Sequence, residues 1–95
     1  MDRFPGLAES WDTIHRAGES GPLDGRTQRL VKLAVSMGAQ RESAVRAGVR
    51  KAIAEGIPRD SVEQLVPLAA GTLGMPGAVA CYSWICEAYE REASA

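Results

Sequence analysis

Ala44, Gly48 and Ala52 recur every fourth residue within a stretch, 26–57, that reads as helix almost throughout: RTQRLVKLAVSMGAQRESAVRAGVRKAIAEGI. A spacing of four puts the three on one stripe of a helix surface. A glycine inside a helix is unfavourable by up to about 1 kcal/mol relative to alanine. Close contact with a neighbouring helix offsets that penalty, because a stripe without bulk lets another backbone approach. The stretch divides at Gly38 into two helices lying back to back. Residues 26–57 are therefore expected to form the packing centre of a helical bundle.

The 95 residues amount to one domain, 1–95. A chain of this size buries only about 60–65% of its unfolded surface. Hydrophobic residues make up 45% of it but aromatic residues only 5%, so the core must be built from Ala, Val, Leu, Ile and Met. Small helical domains of this kind gain stability by oligomerising. Eleven basic and 12 acidic residues leave a net charge of −1, which supports neither nucleic-acid nor membrane-surface binding. No apolar run reaches membrane-spanning length, and Asp2 and Arg3 lead into a Pro-Gly turn rather than a signal peptide. A soluble cytoplasmic protein is expected. Cys81 and Cys86 are the two cysteines. On one helix they would lie about 140° apart, at ~100° per residue, so they cannot bridge each other. They read as core thiols of a reduced compartment.

Along the chain, residues 1–6 are expected to be poorly ordered. Residues 7–17 form a short amphipathic helix with Leu7, Trp11 and Ile14 on one side. The turn cluster GESGPLDG follows at 18–25. Asp24 can cap the next helix, whose stripe of Leu30, Leu33, Ala34 and Met37 is widened by Val31 and Val35, so it should be central in the bundle. Gly38 fits a helix stop. A third helix runs from about Gln40 to Glu55, with Glu42 and Arg46 as an i, i+4 pair, and ends at Gly56 and Pro58. Asp60 and Glu63 read as a capping box for a fourth helix, kinked at Pro67. Pro76 opens a fifth, with Ala78, Cys81, Tyr82, Ile85 and Tyr89 as its apolar stripe. No period-two pattern is present. The fold class is all-α, a short N-terminal helix followed by four longer ones.

Between Leu23 and Ala80 the chain resembles the carboxymuconolactone decarboxylase and alkylhydroperoxidase D family. The likeness rests on Leu23, Asp24, Arg26 and Thr27; on Leu33, Ala34 and Val35; on Arg50, Ala52 and Gly56; on Asp60 and Glu63; and on Gly74, Pro76 and Ala78. It implies a helical bundle that assembles as a trimer or hexamer. The redox branch of that family carries a Glu, a Cys-x-x-Cys twelve residues on, and a His four beyond. Cysteines so spaced at a helix start form and break a disulfide, while the Glu and His relay the proton that generates the thiolate. The matching positions here are Arg29, Arg41, Ala44 and Gly48, and all four groups are absent. The decarboxylase branch has a Glu and a His four apart in the same helix, which fall on Ala44 and Gly48.

The remaining candidates are few. Cys81 and Cys86 are alternatives as a relocated redox pair, and His15, the only histidine, as an acid or base. Each reads more simply as a structural residue. Arg29 and Arg41 replace the Glu and the first Cys, so a small anionic ligand, a carboxylate or phosphate, is the partner they would bind. The plainer reading pairs them with Glu42, Glu63 or another subunit. No cofactor and no metal site is expected. The reading reached is a non-redox, non-catalytic homo-oligomer that acts as a binding or structural protein. The competing reading is an active relative, peroxidase-like through Cys81 or Cys86, or decarboxylase-like through arginine and a substrate carboxylate. A third makes the chain a partner subunit for an active homologue.

Overall fold

The computed structural model describes residues 3–95, which form five α-helices and no strand. They are α1 (Pro5–Glu19), α2 (Gly25–Gly38), α3 (Glu42–Ala54), α4 (Arg59–Leu73) and α5 (Met75–Ser94). Helix α3 packs on α2 and α5, and α4 packs on α5 and α2. Their shared core is Leu33, Met37, Val45, Val49, Ala52, Ile57, Val62, Cys81, Ile85 and Ala88. It contains no aromatic residue; Trp84 and Tyr89 lie against its edge. Helix α1 buries no residue.

The small-residue stripe does pack closely, against a side chain. Gly48 and Ala52 are buried. A Cβ at Gly48 would stand 2.8 Å from Leu33 Cδ1, so the missing side chain is the notch into which Leu33 fits. Helix α2 is less central than its composition implies. Leu33 and Met37 are buried, but Val31 and Val35 are exposed.

Several helix ends differ from expectation. Pro5 and Gly6, expected in a loose leader, form the first turn of α1, with Pro at a position where its missing N–H is no loss. Residues 1 and 2 lie outside the described residues. Gly38 is the last residue of α2 and not its left-handed stop. Gln40 takes that role at φ 55, with Gln40 N–H donating to Met37 O at 2.9 Å and Arg41 N–H to Ser36 O at 3.1 Å. This is a Schellman turn without glycine. The Gln40 side chain supports it, since Nε2 donates to Met37 O at 3.0 Å and to the Cys81 sulfur at 3.2 Å. No capping box forms at Asp60. Pro58 occupies the cap position, Asp60 lies within the first turn, and Glu63 pairs with Arg59 at 3.4 Å. Helix α4 continues through Pro67. Other ends follow expectation. Asp24 Oδ1 accepts from Thr27 N–H at 2.7 Å. That bond holds its carboxyl below the ordinary value. Gly74, at φ 80, is the whole linker between α4 and α5, a backbone conformation that side chains rarely adopt.

Candidate functional site

A cavity of about 500 Å³ lies between α1, α2 and α3. Each helix lines it with the i, i+3, i+4, i+7 stripe of a single face. From α1 come Trp11, Ile14, His15 and Gly18. From α2 come Arg29, Lys32, Leu33 and Ser36, with Val31 and Val35 beside them. From α3 come Ala44, Ala47, Gly48 and Lys51. On the α3 face Leu33 takes up the notch at Gly48, and the short side chains of Ala44 and Ala47 line the space beside it. The cavity's floor is apolar, and among the described residues no carboxylate lines it.

Three cations do. Arg29 is already engaged: its Nε and Nη2 donate to the two oxygens of Glu55 at 3.0 and 3.4 Å. Glu55 is thus its partner, in place of the Glu42 or Glu63 expected. Glu42 instead binds Arg46 at 3.0 Å, and Arg46 also reaches Glu87 on α5 at 2.6 Å. Lys32 and Lys51 enter none of the ion pairs formed among the described residues. Among the described residues the cavity thus has two ammonium groups outside any ion pair beside a guanidinium paired with Glu55.

Arg29 and Arg41 are not brought together. Arg41 is exposed at the N-cap of α3, at the opposite end of the α2–α3 hairpin from Arg29 and Glu55, and does not line the cavity. His15 is in the cavity wall of its own chain, with its ring edge-on to Trp11 at 4.8 Å and 75°. No second subunit is needed to bring it there. Lys32, Lys51 and Trp11 are among the lining residues that sequence reasoning missed. The signal was present, since Lys51 continues the Ala44–Gly48 face and Lys32 lies one helical turn beyond Arg29.

Both cysteines are free and lie outside this cavity, on α5. Cys81 is fully buried, and burial pushes its thiol up. Cys86 is only partly buried. Arg59 Nη2 stands 3.8 Å from its sulfur, while the same guanidinium covers the Tyr89 ring at 4.5 Å and pairs with Glu63. A cation near Cys86 was not expected, because Arg59 lies on α4, 27 residues away in sequence. Among the described residues no group of three or more His, Cys, Asp or Glu is placed to hold a metal ion.

Five helices in this order agree with the helical bundle the motifs implied. A sequence model of the carboxymuconolactone decarboxylase family matches residues 5–87. The chain belongs to that family. The match starts at Pro5, so α1 is part of the family domain along with the four core helices. No curated protein and no solved structure matches the chain. Of the positions that the resemblance sets against the family's catalytic groups, Arg29, Ala44 and Gly48 line the cavity and Arg41 does not. No described helix is long and apolar enough to cross a membrane.

Proposed function

We propose that this chain is a non-catalytic binding member of the carboxymuconolactone decarboxylase family whose cavity between α1, α2 and α3 takes a small anion. The observation that carries the reading is the cavity's lining. It has Arg29, Lys32 and Lys51 and, among the described residues, no carboxylate and no thiol. Such a lining attracts negative charge and offers no thiol for the family's redox chemistry. The two lysines are the binding groups, with Arg29 in support, since Glu55 already takes two of its donors. Arg41 is a surface residue in this reading. The protein is a homo-oligomer, a trimer or hexamer as the family implies. Apolar side chains left on the surface support that: Met75, Val79 and Tyr82 along α5, with Leu68 on α4. Two free thiols suit a cytoplasmic setting.

The test is calorimetric titration with phosphate and with acetate, alongside peroxide-consumption and decarboxylation assays. Saturable anion binding with neither turnover is expected. Turnover would overturn the reading. One observation favours a second reading, a peroxidase-like enzyme using Cys86: the Arg59 guanidinium stands 3.8 Å from its sulfur, which is only partly buried. Against it, Cys81 lies five residues along the same helix, where no disulfide can close, and is fully buried. A Cys86→Ser variant separates the two, because only the peroxidase loses activity by that change.

A further inference from the structure

The cavity is mostly apolar, and its charge lies toward one end. Helices α2 and α3 run antiparallel, with Arg29 at the Glu55 end and Leu33 opposite Gly48. Lys51 lies one helical turn from Glu55 along α3 and Lys32 one turn from Arg29 along α2, so all three cations gather toward that end. Away from it the lining on α2 and α3 is Val35 and Ser36 with Ala44 and Ala47, and α1 adds Trp11 and Ile14 to the apolar wall beside His15 and Gly18. These large side chains remain on show: Trp11 is 56% exposed, Ile14 64% and Val35 66%. An inorganic anion would answer the cations and leave that apolar surface in water. An occupant with one anionic head and an apolar body would meet both.

We infer that the ligand of this cavity is an amphipathic monocarboxylate of the medium-chain fatty acid type. Its carboxylate sits between Lys32 and Lys51, and its chain lies in the trough between α1 and the small-residue face of α3. This rests on the anion-pocket reading above and deepens it. Carboxylate accepts charge-assisted hydrogen bonds from the two ammonium groups. The chain removes apolar surface of α1 and α2 from water, the larger contribution. A cavity of about 500 Å³ is within the range that accommodates such small molecules. Helix α1, which buries no residue of its own, gains its packing from the ligand.

The experiment titrates the full chain calorimetrically with four probes: decanoate below its micelle concentration, 1-decanol, acetate and phosphate. Trp11 emission is followed in a Trp84→Phe background, so that it reports the cavity alone. Decanoate is expected to bind saturably and to shift Trp11 emission to shorter wavelength. The alcohol should bind about tenfold more weakly or worse through loss of the charge-assisted contact, and the two small anions likewise through loss of the buried apolar chain. Lys51→Gln should weaken decanoate by a similar factor, whereas Arg91→Gln, on α5 away from the cavity, should not. Acetate or phosphate binding as tightly as decanoate would overturn the ligand class while leaving an anion pocket in place. Decanol binding as tightly as decanoate would overturn both readings, as would binding of none of the four. Decanoate binding unchanged by Lys51→Gln would place it elsewhere and overturn the inference.

Discussion

At Gly48 a methyl group would stand 2.8 Å from Leu33 Cδ1, and Leu33 is itself 1% exposed and cannot swing into solvent. Two effects compete there. Alanine in place of glycine gains up to about 1 kcal/mol of helix propensity, whereas overpacking a filled core costs about 1–3 kcal/mol. The contact wins, because the obstructing atom belongs to the core. Gly48→Leu is expected to destabilise by at least that amount in urea titration, and Gly48→Ala by less. A Leu33→Ala background should absorb most of the Gly48→Ala penalty. Equal penalties in both backgrounds would show that the notch is not what constrains residue 48. The small stripe was legible from spacing alone, but its partner was not. Which side chain enters a notch depends on the tertiary register of two helices. Cys81 supplies a second test at this scale. Burial raises its pKa in the folded state above the ordinary 9.0. The unfolded chain therefore releases that proton first, and the stability held below pH 9.0 is lost as pH rises toward the folded value. Cys81→Ala should flatten that alkaline loss in denaturation midpoints measured across the window.

Among the helices, α1 stands apart. It buries no residue, while α3 buries four, Val45, Gly48, Val49 and Ala52. Few buried apolar contacts mean a low local opening free energy. Amide hydrogen exchange should therefore be fast through α1 and slowest in α3 and in α5 around Cys81 and Ile85. Protection in α1 equal to that in α3 would mean the helix is held by something else, such as a neighbouring subunit. The order and type of all five helices were legible, because each carries a 3.6-period apolar pattern bounded by Gly or Pro. Their ends were less so. Gln40 takes the left-handed position that Gly38 was expected to hold, since its side chain is tied to Met37 O and to Cys81 on α5. Pro58 displaces Asp60 from the fourth helix's cap. The cavity was the least legible part. Its α1 wall and its free lysines emerge only when three faces far apart in sequence are brought together, as does the Arg59 contact to Cys86.

Taken as a whole, the molecule leaves two apolar surfaces uncovered: the α1 side of the cavity, and the row Met75, Val79 and Tyr82 with Leu68 nearby. Assigning the first to a ligand and the second to another subunit predicts that assembly and binding are separable. Sedimentation at micromolar concentration should give a homo-oligomer, which Val79→Asp dissociates without unfolding the helices. A stable monomer from the unaltered chain would contradict the assembly. On the reading proposed above, the positions that the resemblance sets against the family's thiol chemistry serve packing and binding in this chain. Intact mass before and after hydrogen peroxide, with and without reductant, tests that most directly. The account predicts two free thiols throughout, no disulfide that reductant reopens, and no catalytic loss of peroxide. A reversible loss of two hydrogen masses coupled to peroxide turnover would contradict it.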